Sequence, residues 1–408
     1  MKSVVIAGAG QSGFQAAASL RQGGFDGRIE LIGAEPGVPY QRPPLSKSYL
    51  LGKTDLEGLQ FRGSEFFADN RIELTHDHVV SIDRAGRMVS LRSGSTRGYD
   101  HLVLATGSRN RRLIIPGSDL EGIHSLKTVG DADALAARLT SAKTVVVIGA
   151  GFIGLEFAAV AAARNVAVHV VELADRVMSR ALSPEMSAFF ADAHRQWGAR
   201  LHLGSSILRI NGRDGRVAFV DLNDGSSIAA DLVVYGIGVL PNTELAVEAG
   251  IDVANGIVVD RHLLTSDPAI SAIGDCAEFP SRHAGSHIRL ESVQNAADHG
   301  RAVAARIMGA DQSYEMVPWF WSDQGDLKLQ TVGISTGHDA SVMLGDWPSR
   351  SFTILLFRQG RLIATESVNR PGDFMVARKI LSDDSRVPSL AEAQANGFDF
   401  RGWAGNKR

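Results

Sequence analysis

The chain has 408 residues and a single cysteine, Cys276. That excludes an internal disulfide and any Cys-x-x-Cys thiol relay, and it fits a reducing cytoplasm. An excess of charge of one sign is also missing. Lys and Arg number 42 against 45 Asp and Glu, for a formal net charge of −3. Nothing in that balance points to nucleic acid as a partner. No low-complexity linker breaks the chain, so its domains are expected to pack tightly. Met1-Lys2-Ser3 runs straight into an apolar strand, and no signal peptide is expected. In the long apolar stretch 145–163, Glu156 is the only charge. It begins as a β-branched strand and breaks at three glycines, so it reads as buried strand, turn and helix rather than a membrane span.

Glycine is plentiful, with 43 residues, and two clusters of it carry the strongest signal. Gly8-Ala9-Gly10-Gln11-Ser12-Gly13 follows the apolar run Ser3–Ala7. Gly149-Ala150-Gly151-Phe152-Ile153-Gly154 follows Thr144–Ile148. Each reads as strand, tight turn and Ala-rich helix, the fingerprint of a dinucleotide site. The first glycine makes the turn, the second admits the pyrophosphate, and the third lets helix pack on strand. The phosphates then meet unpaired N–H groups at the helix N-terminus. Glu35 and Glu172 each close the next apolar run, where a carboxylate accepts hydrogen bonds from a ribose diol. Two redox dinucleotides on one chain imply electron transfer between them. Glu172 favours NADH, because a carboxylate repels a 2′-phosphate. Arg176 and Arg180 complicate this, since arginines accept phosphate.

The fold class is α/β. The Pro-rich segment 36–53 is too long for an idle loop and is a functional candidate. A buried strand ends at Ala105-Thr106-Gly107. A second strand–helix–strand unit starts near 143 and ends at Gly236-Ile237-Gly238, with a meander around Asp214-Gly215 and Asp224-Gly225. Ala272–Cys276 repeats the strand-to-turn pattern, and a helix is expected over 293–308. The first domain is therefore interrupted by the second. After Pro318, strands are expected at 327–334, 341–345, 352–357 and 361–366, a hairpin turn at Gln359-Gly360 and a helix at 372–382. The expected domains are 1–112 with 241–318, then 113–240, then a small α+β domain at 319–408.

Six stretches together carry a family resemblance: Arg42-Pro43-Pro44-Leu45-Ser46-Lys47, Ala105-Thr106-Gly107, Gly149 to Glu156, Gly236-Ile237-Gly238, Gly274-Asp275 and Pro318 to Gln324. Across essentially its whole length the chain resembles the FAD-dependent NADH:ferredoxin reductases of oxygenase and cytochrome P450 systems. These are the putidaredoxin-reductase type within the glutathione-reductase superfamily. The resemblance implies two Rossmann-like domains, one for non-covalent FAD and one for NAD, the second inserted in the first. It assigns Gly8, Gly10, Gln11, Ser12, Gly13 and Glu35 to the FAD adenosine half. Arg42 would reach the FAD phosphates, and Lys47 the reactive flavin edge. A cation there stabilises negative charge on reduced flavin. Pro44, Val80, Ala105, Thr106, Gly107 and Arg109 are also assigned to FAD. Gly274 and Asp275 follow, with Asp275 on the ribitol or capping a helix. Glu291, Ser292 and Val293 bring a helix start to the flavin pyrimidine ring. Trp319 and Trp321 lie near the isoalloxazine or pack a domain interface.

For NAD, the resemblance assigns Gly149, Gly151, Phe152, Ile153 and Gly154, then Glu156, Glu172 and Arg180, then Gly236, Ile237 and Gly238. Lys47, Glu156 and Trp321 would serve the chemistry. A carboxylate in an apolar run is costly unless paired, and an ion pair of Glu156 with Lys47 is expected. No metal site is expected. Related peroxidases, oxidases and coenzyme A disulfide reductases carry a redox cysteine in the loop occupied here by Gln41–Lys47. This chain has none, so the flavin is expected to hand electrons directly to its acceptor, and Cys276 is read as a small buried residue. The implied acceptor is a [2Fe–2S] ferredoxin, docked transiently, that feeds a cytochrome P450 or other oxygenase. Arg301, Arg306, Lys328 and Arg378 are candidates to dock it. A rubredoxin reductase, a monodehydroascorbate-type reductase and an NADH-responsive sensing flavoprotein are the alternatives.

Overall fold

Four or five consecutive apolar or β-branched residues before a glycine make a strand that is buried on both faces, and both glycine clusters sit behind such strands. The computed structural model describes residues 1–383 and 387–403. It divides into two compact units: Met1–Gln41 with Leu56–Arg109 and Leu240–Pro318, and Arg42–Asp55 with Asn110–Val239 and the residues from Trp319 on.

In the first unit, the strand Ser3–Ala7 lies at the centre of a five-stranded parallel sheet. Arg28–Gly33 and then Ile72–His76 flank it on one side, His101–Leu104 and then Ile270–Ala272 on the other. The helices Gln11–Gln22 and Val293–Ile307 pack together on this sheet. The core of this unit includes Val5, Ile6, Leu31 and Val103, all essentially inaccessible.

The second unit repeats the plan. Thr144–Ile148 is central, with Ala167–Glu172 and Arg200–Leu203 on one side and Leu232–Tyr235 and Ile123–His124 on the other. The helix Phe152–Ala163 is apolar on nearly every face, as a helix buried in a sandwich must be. The two Asp-Gly turns connect the meander Ile207–Arg213, Arg216–Leu222 and Ser227–Ala229. The four strands expected after Pro318 are present as Leu327–Gly333, Ala340–Asp346, Ser351–Arg358 and Arg361–Val368, with the helix Pro371–Ser382. A fifth strand, Trp319–Gln324, forms an edge of that antiparallel sheet. Its sequence, WFWSDQ, lacks the polar–apolar alternation that marks a strand. Among the described residues, no helix is long and apolar enough to cross a membrane.

Candidate functional sites

Gly8 has φ of +119°, and a Cβ there would lie 2.1 Å from Ala105 O. A Cβ at Gly13 would lie 1.9 Å from Gly8 O. At Gly10 a Cβ would meet nothing within 4 Å. The second motif copies this pattern. Gly149 (φ +96°) faces Gly236 O at 2.6 Å, Gly154 faces Gly149 O at 2.2 Å, and Gly151 is open. The outer glycines are therefore needed for packing, whereas the middle one leaves free space. Both helices start at a glycine N-cap with no side-chain cap and no acid in the first turn. Such a start suits a phosphate, and the cradles fit two dinucleotides.

The carboxylates after each helix are held by partners within the protein. Glu35 accepts from Tyr40 Oη at 2.5 Å. Glu172 accepts from Ala150 N at 2.7 Å and Ala174 N at 2.9 Å, so the second turn itself aims it. Arg176 is committed elsewhere. It donates to Leu182 O (2.7 Å), Ser187 Oγ (2.8 Å) and Ser179 O (2.6 Å). Arg180 is exposed, with its guanidinium beside Gly238. Gly236 and Ile237 follow the strand Leu232–Tyr235, and Ile153 is 45% exposed at the helix start.

Elsewhere in the first unit, Gln11 begins the first helix, and Ser12 packs its side chain against Gly274. Thr106 donates to Asn242 O at 2.7 Å, and Gly107 O accepts from Asn242 N at 2.9 Å. Arg109 bonds Asn242 Oδ1 at 2.9 Å and pairs with Glu244. Asp275 accepts from Ser108 Oγ at 2.8 Å inside a short 3-10 turn, Gly274–Cys276. It caps no α-helix, which corrects that alternative. The cap of the helix from Val293 is Ser292, which accepts from Asn295 N, and Glu291 pairs with Arg289. Val80 stands 41% exposed on a peripheral strand. Cys276 is fully buried, and burial pushes its thiol pKa up, as an inert core residue requires. Sequence reasoning missed His299. Its Nδ1 accepts from Gly274 N at 3.2 Å, and burial holds it neutral with a pKa lowered to about 3.

In the second unit, the expected ion pair is formed: Lys47 Nζ lies 3.0 Å from Glu156 Oε1. Glu156 is only 5% exposed and Lys47 17%. Pro43 and Pro44 open the 3-10 turn that presents Ser46 and Lys47, and Arg42 donates to Lys127 O at 2.7 Å. Two serines, unassigned from sequence, complete the shell. Ser46 Oγ donates to Glu156 Oε2 at 2.5 Å and Ser322 Oγ to Oε1 at 2.6 Å. Burial pushes the Glu156 pKa up, while Lys47 and the two hydroxyls oppose it. Both serines lie in the quoted motifs, but only the fold shows their common target.

An aromatic cluster adjoins this shell in sequence. The ring centroids of Trp319 and Trp321 are 5.6 Å apart, and Phe152 meets Phe320 at 4.5 Å. Arg378 lies over the Trp319 ring at 5.0 Å. Of the four basic docking candidates, Arg306 needs correction. It is half-buried, donates to Ser271 Oγ at 2.6 Å, contacts His101 and has its pKa lowered by burial, so its guanidinium is tied into the first unit and not freely solvated. Arg301 pairs with Asp298, and Lys328 lies on an exposed strand position.

Comparison with known proteins agrees with this geometry. The pyridine nucleotide-disulphide oxidoreductase family matches residues 2–300, and a reductase C-terminal family matches residues 319–401. Rhodocoxin reductase of Rhodococcus erythropolis is 51% identical over 399 residues, covering 98% of this chain and 93% of that protein. A ferredoxin–NAD(P)(+) reductase of a Sphingomonas species is 42% identical over 96% of this chain and 95% of its own. The crystal structure of the ferredoxin reductase for the CYP199A2 system of Rhodopseudomonas palustris superposes with a TM-score of 0.96 at 50% identity. It covers 99% of this chain and all of that one.

Proposed function

We propose a function on one premise: the chain belongs to the pyridine nucleotide-disulphide oxidoreductase family. It is an FAD-dependent NADH:ferredoxin oxidoreductase that supplies an oxygenase. Its family and relatives use FAD and NAD(P)H, and relatives at 42–51% identity carry the names of ferredoxin and rhodocoxin reductases. The observation that carries the reading is the paired glycine cradle, together with a Lys47–Glu156 pair in a chain with no cysteine between Gln41 and Lys47. FAD, when bound, accepts hydride from a nicotinamide and returns electrons one at a time.

The chain's residues then divide the work. Gly8, Gly10 and Gly13 with the first helix start hold the FAD pyrophosphate, and Glu35 its ribose. Gly149, Gly151 and Gly154 do the same for NADH. Glu172, aimed by Ala150 N, takes the ribose diol, and the commitment of Arg176 to carbonyls favours NADH over NADPH. Lys47 supplies the fixed cation that stabilises charge on reduced flavin, and Glu156 keeps that cation in place. Trp321 and Trp319 are the proposed aromatic shield. The proposed acceptor is a [2Fe–2S] ferredoxin, docked transiently and feeding a cytochrome P450 or other oxygenase in the cytoplasm.

Steady-state NADH oxidation by FAD-loaded protein tests this. We expect slow oxidation in air, strong stimulation by a [2Fe–2S] ferredoxin with cytochrome c as reporter, and little by a rubredoxin. Stimulation by rubredoxin alone would replace the acceptor class. Slow turnover under every condition, despite full reduction by NADH, would favour the sensing role.

A further inference from the structure

We propose that Ser322, Gln324 and His194 are positioning residues, a one-way hydrogen-bond chain that keeps Glu156 ionised as the counter-ion of Lys47. The chain crosses three elements of the second unit: the helix Pro184–Gln196, the edge strand Trp319–Gln324 and the helix Phe152–Ala163. His194 Nε2 lies 2.8 Å from Gln324 Oε1. Gln324 Nε2 donates to Ser322 Oγ at 3.2 Å and reaches Met178 Sδ at 3.6 Å. Ser322 Oγ in turn donates to Glu156 Oε1 at 2.6 Å. Ser322, Gln324 and His194 are all essentially inaccessible.

The direction of each bond follows from the next. Nδ1 of His194 is buried and has no partner. If it carried the proton, a buried N–H would be orphaned, which costs more than an unused lone pair. The proton is therefore on Nε2 and is donated to Gln324 Oε1. That fixes the amide, turning its NH2 toward Ser322 and Met178; the reverse would aim the amide oxygen at sulfur. One of the two lone pairs of Ser322 then accepts from Gln324, and the carboxylate of Glu156 is the acceptor for its own proton.

With Ser46 Oγ and Lys47 Nζ, Glu156 meets three donors, one of them a cation. Such a set favours the anion; a carboxylic acid would find an acceptor only in a serine hydroxyl, at Ser46 by turning that proton to the longer contact with Pro43 O at 3.4 Å. Lys47, from the turn after Pro43, is the charged group facing Glu156. His194 reaches it only through the two intervening side chains, and burial keeps that ring neutral, with a pKa lowered to about 4. It acts by orientation, not by charge. Any consequence for the flavin rests on the function proposed above; the state of Glu156 does not.

The test therefore begins without cofactor. Infrared difference spectra of the apoprotein, wild type minus Glu156→Gln, report the protonation of this carboxyl across pH. Burial pushes this carboxyl's pKa up, and the proposal requires the cation and donors to hold it ionised in wild type through neutral pH all the same. Ser322→Ala removes one charge-assisted hydrogen bond and should move the Glu156 titration upward by about one to two pH units. His194→Phe should shift it in the same direction by less, and His194→Gln, which retains an N–H donor, should restore wild-type behaviour. In FAD-loaded Ser322→Ala, flavin reduction by NADH should fall toward acid with the same midpoint. An unmoved carboxyl titration in folded Ser322→Ala or His194→Phe overturns the proposal, as does a loss of rate that is uniform in pH. Should Ser322→Ala fail to fold, the two His194 variants decide. Failure of NADH to reduce wild-type flavin would reject the proposed function and leave the infrared result standing.

Discussion

Gly151→Ala separates fold from function at a single methyl group. Gly151 has φ −79° and ψ −179°, which alanine adopts freely, and its added Cβ meets nothing within 4 Å. Restricting the unfolded chain stabilises by about 0.4–1 kcal/mol, and alanine is a poorer N-cap than glycine by a similar amount. The apoprotein melting temperature should therefore move by no more than about 4 °C. The methyl group would fill the space through which a pyrophosphate approaches the helix N–H groups. Losing two charge-assisted hydrogen bonds costs about 3 kcal/mol or more, roughly a hundredfold or greater loss in NADH affinity. FAD content should be unchanged, because the other glycine motif is intact. Gly154→Ala is the contrast. Its Cβ would sit 2.2 Å from Gly149 O and 3.3 Å from Val147 Cγ1, so the backbone must move. Overpacking of that kind costs about 1–3 kcal/mol and should lower the melting temperature. Melting curves, flavin absorbance and NADH titration read all three properties. Wild-type NADH affinity in Gly151→Ala, or loss of FAD in its place, would refute the assignment of the second cradle.

Other perturbations have equally definite outcomes. Lys47→Met leaves Glu156 its two serine donors but no cation, so FAD should still bind while reduction by NADH in rapid mixing slows about tenfold or more; an unchanged rate removes Lys47 from the chemistry. Glu172→Ala should weaken NADH about tenfold in equilibrium titration. It should not create tight NADPH binding, because Arg176 stays bonded to Ser179 O and Leu182 O; NADPH binding tighter than NADH would show that Arg176 swings free. Glu366 is 1% exposed, accepts from Ser183 N and Oγ, and has its pKa raised by burial to about 7. Because the folded state retains this proton longer than the unfolded chain, the contribution to stability is full below pH 4.5 and is lost as pH rises through about 7. Urea unfolding of Glu366→Gln should match wild type near pH 4.5 and exceed it by up to about 3 kcal/mol above pH 7; parallel curves would show that Glu366 titrates normally.

Local pattern carried the architecture a long way. Runs such as Val145–Ile148 followed by glycine specify a buried parallel strand without tertiary information, and the Asp-Gly turns at 214–215 and 224–225 specify a meander. Trp319–Gln324 escaped because its aromatics hide the period-two signal of a strand. Lys47 and Glu156 were legible as a pair, because a lone carboxylate in an apolar helix demands a partner. Ser46 and Ser322 were present in recognisable motifs, yet serine has no pattern that names its acceptor. His194 and Gln324 had no signal at all, since their partners lie 130 residues apart in sequence and meet only in the packed unit. Arg306 misled for the opposite reason: a basic residue near a helix end reads as solvated, and only packing shows its guanidinium against Ser271.

Glu156 takes its two serine donors from positions 110 residues before it and 166 after it, and the latter lies in the segment matched by the C-terminal reductase family. Inheritance at this carboxylate is thus split between two modules. A chimera that borrows its last ninety or so residues from a relative (about the length of one small domain) would import a new hydrogen-bond donor for Glu156 along with any new docking face. Positions 156, 322 and 324 should accordingly be exchanged as a set. A shift in partner preference after such a swap would otherwise be confounded with a change in the charge state of the ion pair.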